Sequence, residues 1–245
     1  MDGNGRWAEN RRRDRTFGHL KGARVAKTMI ETCAREGLTQ LTLYAFSTEN
    51  WLRPKAEVSF LMKLLGRHLR KERASLMKNN IRFSVIGEIH RLPDAVLVEV
   101  QRTIEETKNN TGMSLTFALS YGGRQELTEA VREIAREVAA GRLTPDQIDE
   151  KTISARLQSS FMPEPDLIIR TSGEYRLSNF MLWQAAYSEL YITQTLWPDF
   201  TEEELAKALG QFNTRERRFG RTTAQVRQIS IADLMRLTSP RQATV

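Results

Sequence analysis

Arginine, small hydroxyl residues and glycine recur together at three places in the sequence, each directly after a short apolar run. Ser47-Thr48-Glu49-Asn50-Trp51-Leu52-Arg53 follows Leu41–Phe46, and Ser120-Tyr121-Gly122-Gly123-Arg124 follows Ser114–Leu119. Arg170-Thr171-Ser172-Gly173-Glu174-Tyr175-Arg176-Leu177-Ser178-Asn179 follows Asp166–Ile169. Glycine lets backbone approach a ligand closely, and a guanidinium matches the geometry of phosphate oxygens. One such segment is an ordinary turn; three of them predict a phosphate or diphosphate site. Asp2-Gly3-Asn4-Gly5-Arg6-Trp7 adds a glycine-rich turn leading toward a helix. Its N–H groups suit an anion, and Asp2 offers hard oxygens to Mg²⁺. Alone, that turn reads first as a plain tight turn, and without a GK[ST] ending it is not a Walker A loop.

Other reactive side chains are sparse. His19 follows Gly18 at an expected helix start and reads equally as a structural histidine. His68 and His90 have no metal-ligand spacing to each other or to His19, which argues against zinc. Glu189 interrupts an apolar and aromatic stretch, Ala185 to Tyr191, so its carboxylate needs a partner. A bound cation and a buried salt bridge are equally good partners. Cys33 is the single cysteine, which excludes an intramolecular disulfide framework.

The elements that must position these groups follow from periodicity. Apolar residues at helical spacing occur at Ala26/Met29/Ile30/Cys33, Val58/Leu61/Met62/Leu65, Leu127/Ala130/Val131/Ile134 and Leu205/Ala208/Leu209/Phe212. Helices over 56–79 and 123–139 are expected to be the longest. Thr201 with Glu204 reads as a capping box, and Thr144-Pro145-Asp146-Gln147 as a further helix start. Strands are expected at Leu41–Phe46, Ile81–Ile86, Ser114–Leu119, Asp166–Ile169 and Leu190–Thr193. Strands alternating with helices predict a single α/β domain with a mainly parallel central sheet flanked by helices. In such sheets ligands collect beyond the carboxyl ends of the strands, where the arginine-bearing segments fall.

With 245 residues the chain suits one α/β domain or two small ones, and no apolar run approaches a membrane span or a signal segment. A soluble, cytoplasmic protein is therefore expected. The net charge of +7 is concentrated at the ends: residues 1–24 carry +4, 214–245 carry +5, and the remainder −2. A nucleic-acid binder would be expected to spread basic stripes over its body, so no nucleic acid is expected as a partner. Residues 221–245 read as a basic, mobile tail.

Seven blocks in one order resemble the cis-prenyltransferase family of undecaprenyl diphosphate synthase type. They are MDGNGRWA (1–8), FGHLKGA (17–23), LTLYAFSTENWLRP (41–54), ALSYGGR (118–124), DLIIRTSGEYRLSNFMLWQAAYSELY (166–191), LWPDF (196–200) and RERRFG (215–220). The resemblance implies a butterfly-like α/β catalytic domain over 1–220, an elongated apolar tunnel and a homodimer. It also implies Mg²⁺-dependent condensation of isopentenyl diphosphate onto an allylic diphosphate such as farnesyl diphosphate. The product would be a long polyprenyl diphosphate, the lipid carrier for cell-wall glycan, with transient membrane association at the inner face.

Roles carry over by motif position. Asp2 would bind Mg²⁺ and help the allylic diphosphate leave, and Glu189 would complete the metal site. Gly3, Asn4 and Gly5, with Arg6, Arg15 and His19, would cradle the allylic diphosphate, with Trp7 beside them. Arg170, Arg176 and Ser178 would hold isopentenyl diphosphate, with Leu177 between. Asn50 is the candidate for assisting proton removal, with Ser47, Thr48, Glu49, Trp51 and Arg53 lining the same pocket. The Val58–Leu69 stretch is the expected tunnel wall. A short-chain synthase and a non-catalytic accessory subunit are the alternatives within the same resemblance.

The family has a short apolar strand immediately before MDGNG. A chain opening at Met1 is therefore expected to leave Asp2 with no central strand to fix it, impairing folding or turnover until upstream residues are restored. The other end also departs, since Arg221 begins a longer basic extension than the family's short tail.

Overall fold

The computed structural model describes residues 1–215; the basic segment 221–245 and all but Arg215 of the RERRFG block lie outside the described residues. In chain order the elements are α1 (Asn4–Glu9), α2 (Arg15–Arg35), β1 (Gln40–Ser47), α3 (Lys55–Lys78), β2 (Arg82–Ile86), α4 (Asp94–Thr107), β3 (Ser114–Tyr121), α5 (Gly123–Ala139), α6 (Glu150–Ser154), β4 (Leu167–Arg170), β5 (Glu189–Ile192) and α7 (Glu202–Thr214). A single-turn 3₁₀ segment, Thr48–Leu52, joins β1 to α3.

β3 lies between β1 and β2, and both pairs are parallel, with Gln40 and Arg82 each opposite Ser114. Leu115 to Tyr121 are all buried, as expected of a central parallel strand covered on both faces. Onto this sheet pack Ala26, Met29, Ile30 and Cys33 of α2 and Met62, Leu69 and Leu76 of α3. β4 and β5 form a separate parallel pair, Leu167 opposite Glu189 and Arg170 opposite Ile192. The parallel central sheet flanked by helices expected from sequence is present, and among the described residues β4 and β5 stand beside it as a second, also parallel, sheet. Ladder bonds do not continue onto β4. Instead the Thr171 hydroxyl accepts from the Asp2 N–H at 2.9 Å and donates to the Asp2 carbonyl at 2.8 Å. Trp197 N–H donates to the same carbonyl at 2.9 Å. These bonds, rather than a strand, hold Asp2.

Several helix boundaries differ from expectation for local reasons. α2 starts at Arg15, ahead of Gly18 and His19, because the Asp14 carboxylate caps it by accepting from Thr16 N–H at 2.9 Å. Thr144 and Gln147 do form a reciprocal cap, but over a single turn, and α6 begins later under Asp149. At α7 only half of the expected box forms: Thr201 caps Glu204 N–H at 3.3 Å, while the Glu204 carboxylate turns to Thr193 and Lys207. α4 escaped periodicity because Glu99, Thr103 and Thr107 share its buried face with Val96 and Val100. Glu99 is neutralised there by Arg70 and Arg73. Among the described residues no helix is long and apolar enough to cross a membrane.

The seat of the N-terminal turn is set by two glycines one turn apart on α2. A Cβ at Gly18 would lie 1.9 Å from the Asn4 carbonyl oxygen, and one at Gly22 2.1 Å from Asn4 Oδ1. Trp197 closes this contact by donating from Nε1 to the Gly22 carbonyl at 2.9 Å. The same substitution should therefore have opposite signs at two glycines. Gly18→Ala is expected to cost about 1–3 kcal/mol through overpacking against backbone. Gly210→Ala, in α7 with nothing within 4 Å of the added methyl, should gain about 0.5–1 kcal/mol from helix propensity. Urea unfolding midpoints at constant m-value check both.

Candidate functional site

The carboxyl ends of β1, β3 and β4, with the N-terminal turn, converge on Asp2. Gly3 has φ 101°, a left-handed conformation natural to glycine, and a Cβ there would meet Leu196 Cδ2 at 2.8 Å. That turn lets Gly3 N–H donate to Asp2 Oδ1 at 2.7 Å. Arg170, at the end of β4, donates to Asp2 Oδ2 at 3.2 Å and to Ser178 Oγ at 2.7 Å, and also reaches the Arg176 carbonyl. Arg6 donates to Ser172 Oγ at 2.6 Å and lies 3.1 Å from Glu174 and 3.6 Å from Asp2. Arg176 pairs with the other oxygen of Glu174. The three arginines are thus gathered into one network by two carboxylates. The loop after β4, which carries Arg176, is bent through left-handed residues, Ser172, Gly173, Ser178, Asn179 and Met181. Backbone of this kind persists only where its surroundings over-determine it, and it clusters at ligand sites.

Beside this network opens a cavity of about 240 Å³. Its mouth is polar, formed by Asp2, the Gly3–Gly5 turn, Arg6, Arg15, His19, Asn50 and Arg53. Its walls are apolar: Ala23 and Ala26 of α2, Phe46 of β1, Leu61, Met62 and Leu65 of α3, and Phe117 and Leu119 of β3. The expected tunnel wall on α3 therefore does face a cavity. Gly5 leaves the space across which Arg15 lies, since a Cβ there would sit 2.5 Å from the guanidinium carbon. Glu57, in the first turn of α3, gathers the cations of the mouth: Arg53 at 3.1 Å, Arg15 at 3.4 Å and His19 Nε2 at 3.5 Å. His19 Nε2 is buried and makes no hydrogen bond, with the Glu57 carboxylate 3.5 Å away.

Electrostatics follow from these contacts. Burial works to raise the Asp2 carboxyl, but the Gly3 N–H, Arg170 and Arg6 outweigh it and hold the pKa below its usual 3.8. Burial, then the Arg53 charge, lowers the His19 imidazole against the opposing pull of Glu57. Asp2 is therefore an anion at neutral pH, and His19 is a neutral imidazole with an unpaired buried nitrogen.

Of the residues singled out in 47–53, the structure brings Asn50 and Arg53 to the cavity. The reason is the 3₁₀ turn, in which side chains three apart eclipse each other. Ser47 lies on the same face but caps the turn, its N–H donating to Asn50 Oδ1 at 3.2 Å. Thr48 is buried, and Trp51 donates to Ser120 Oγ at 2.9 Å and packs edge-on against Phe46. Glu49 turns toward Asn179. These four are outside the cavity lining, as is Trp7, whose indole N–H is committed to Asp199 Oδ1 at 2.7 Å beneath the Arg11 guanidinium. Leu177 is half-buried and serves as a spacer whose carbonyl accepts from Phe180 N–H. Sequence reasoning passed over Glu57, which reads as an ordinary acidic residue in a first helical turn, and Glu174, which was visible only as part of its segment.

Glu189 does not join Asp2 within the chain. It opens β5 opposite Leu167, whereas Asp2 meets Arg170 three positions further along the pair, about 10 Å away at strand rise. Its carboxylate is instead paired with Arg215, the salt-bridge reading of that residue. Among the described residues no group of three or more His, Cys, Asp or Glu could hold a metal. Mg²⁺ commonly takes one or two carboxylates and completes its shell with substrate phosphates. Asp2, 41% exposed at the cavity mouth, fits that use alone.

A cluster of arginines beside a cavity with a polar mouth and apolar walls, beyond parallel strand ends, is an α/β arrangement suited to an anionic group carrying an apolar tail. Residues 1–220 match the family described as "Putative undecaprenyl diphosphate synthase". Isoprenyl transferases of Geobacter sulfurreducens and Chlorobaculum tepidum are 52% and 50% identical over 226 and 227 residues. These alignments cover 92% and 93% of this chain and 92% and 86% of the relatives. Lavandulyl diphosphate synthase from Lavandula x intermedia, solved in complex with dimethylallyl diphosphate, superposes with a TM-score of 0.88 at 39% identity, covering 90% of this chain and 95% of that one. A probable undecaprenyl diphosphate synthase from Campylobacter jejuni gives 0.72 at 36%, covering 82% and 93%. The chain belongs to the cis-prenyltransferase family and is a prenyltransferase.

Arg170→Met removes the cation that most directly opposes burial at Asp2, so the Asp2 carboxyl is expected to titrate higher than in the unsubstituted protein. A lowered carboxyl pKa contributes stability above the usual 3.8 that is lost as pH falls through the folded value. The stability difference between the two proteins should therefore be larger at pH 7 than at pH 3. Carboxyl ¹³C titration with urea unfolding at both pH values checks this.

Proposed function

We propose that the protein condenses isopentenyl diphosphate onto an allylic diphosphate, with farnesyl diphosphate as primer, and repeats the step to make a long cis-polyprenyl diphosphate of undecaprenyl type. The observation that carries this reading is the place of Asp2. It lines the cavity mouth and is bonded to Arg170, which with Arg176 and Ser178 forms a second cationic group outside that cavity. Two diphosphates held on either side of one carboxylate is what a condensation between two diphosphate esters requires.

In this reading Arg6, Arg15, Arg53 and neutral His19, with the N–H groups of the glycine turn, bind the allylic diphosphate. Its prenyl tail lies along the apolar walls. Arg170, Arg176 and Ser178 bind isopentenyl diphosphate. The allylic C–O bond breaks with its electron pair leaving on diphosphate, the isopentenyl double bond supplies the pair for the new C–C bond, and one proton is lost. Fixed guanidinium groups favour the leaving anion, and the apolar walls keep water from the allylic cation. Mg²⁺ held by Asp2 would supply further positive charge to the leaving diphosphate. Asn50 acts here as a donor: its Oδ1 already accepts from Ser47 N–H, which leaves its NH₂ for a diphosphate oxygen. The departing proton then goes to diphosphate oxygen, a better base than a neutral amide. A homodimer and delivery of product to the inner membrane face belong to the same proposal.

One observation favours a second reading, a shorter product. The cavity stops at His68 and Phe117, which also line a separate void of about 20 Å³ running toward Leu76 and Ile81. Burial lowers the His68 pKa against the opposing pull of Glu72, with a smaller push from Lys27 and Lys71, so a neutral ring stands between the two spaces. Incubation with radiolabelled isopentenyl diphosphate, farnesyl diphosphate and Mg²⁺, followed by sizing, tests both readings. A ladder reaching beyond C50 supports the long-chain reading; one stopping at C20 or C25, after one or two additions to the C15 primer, replaces it with the short. If the His68–Phe117 partition limits the tail, His68→Ala should shift the ladder upward by at least one C5 unit. An unchanged ladder would mean the tail leaves by another route.

A further inference from the structure

Asn179 stands outside both groups of diphosphate-binding residues, yet it ties its own strand-end segment to the other two. Its carbonyl accepts from Gly123 N–H at 2.7 Å and its Oδ1 from Arg124 N–H at 2.8 Å. These are first-turn donors of α5, whose own N-cap position is Gly122 and has no side chain to offer. Its Nδ2 donates to Glu49 Oε1 at 2.9 Å and to Gln125 Oε1 at 3.1 Å. The amide oxygen and both amide hydrogens are thus engaged. Room for this junction depends on glycine, because a Cβ at Gly122 would lie 2.6 Å from Asn179 Nδ2 and 2.8 Å from Thr48 Oγ1. The backbone of Asn179 is left-handed, φ 63°, a conformation asparagine tolerates better than most residues.

The two neighbours of this junction are the groups that matter. Ser178, one residue before Asn179, presents Oγ to Arg170 at 2.7 Å. Asn50, one residue after Glu49, stands at the cavity mouth. We propose that Asn179 is a positioning residue that fixes the isopentenyl diphosphate pocket relative to the cavity mouth, by clamping the Ser178 peptide to Glu49 and to the first turn of α5. This rests on the two-pocket reading of the site given above. Removing the clamp leaves Arg170 and the cavity in place but frees the Ser178 peptide, so the loss should fall on one substrate.

The test uses the full chain as unsubstituted protein, Asn179→Gly, Asn179→Asp, Ser178→Ala and the Ser178→Ala/Asn179→Gly double variant. Asn179→Gly keeps the left-handed backbone and the carbonyl while deleting the side chain. Asn179→Asp keeps an oxygen for Arg124 N–H but sets an anion against Glu49, and gives the same readout if the glycine variant fails to fold. Both Asn179 variants should raise KM for isopentenyl diphosphate about tenfold or more, with the allylic KM within about twofold. In the Ser178→Ala background, Asn179→Gly should cost less than about twofold further, because both changes act through one peptide. Equal rises in the two KM values, or a fully additive double variant, would overturn the proposal while leaving the two-pocket reading intact. Failure of the unsubstituted protein to join these substrates would overturn both.

Discussion

The structure depends on keeping five guanidinium groups together in one place before any anion arrives. Arg6, Arg15, Arg53, Arg170 and Arg176 would repel one another at the strand ends, and three carboxylates prevent that. Asp2 bridges Arg6 and Arg170, Glu174 bridges Arg6 and Arg176, and Glu57 bridges Arg15 and Arg53. Exposed ion pairs of this kind contribute little stability. Their consequence is geometric: the donors are already aimed before binding, so little reorganisation is left for the reaction. The carboxylates also keep the site from being a generic anion trap, since an incoming diphosphate must compete with them for the same donors.

Each bracket ties together segments far apart in sequence. Asp2 and Arg170 are 168 positions apart, and Arg6 and Ser172 are 166 apart. The site therefore forms only after β4 and the N-terminal turn have met, a meeting secured by the Thr171 hydroxyl, Trp197 and the glycine contacts of α2. Packing and function are coupled here through shared residues. Gly18 and Gly22 pack against Asn4, and Gly22, Asn4 and Trp197 also line the cavity, so the same contacts set how deeply the Asp2 turn sits.

Much of this was legible in the residues. Apolar alternation with helices placed all five strands to within two residues, and the segments beyond the expected strand ends hold Asn50, Arg53, Arg170, Arg176 and Ser178. Where sequence and structure part, the reasons are identifiable. A list of consecutive residues cannot say which ones a 3₁₀ turn eclipses, so Ser47, Thr48, Glu49 and Trp51 were grouped with Asn50 and Arg53, although Trp51 is spent on Ser120. Trp7 was included by adjacency to Arg6, but successive helical residues face different ways, and its indole points to Asp199. Glu189 was joined to Asp2 by motif position in the resemblance, and because a carboxylate in an apolar stretch needs a partner. Strand register, which sequence does not fix, separates them along the β4–β5 pair.

The acidic brackets were the least visible feature, because their identity depends on who their neighbours become. Glu57 on α3 looks like any first-turn glutamate, stabilising near the positive end of a helix. Once α2 packs across α3, the same carboxylate faces Arg15 and His19 as well as Arg53. α3 thus contributes to both halves of the site: its first turn organises the cationic mouth, and Leu61, Met62, Leu65 and His68 further along line the apolar cavity. A rigid helix of 24 residues holds those two functions at a fixed distance. The separation between anionic head and apolar tail that the cavity accommodates is therefore set by helical rise along one element rather than by the flexibility of loops.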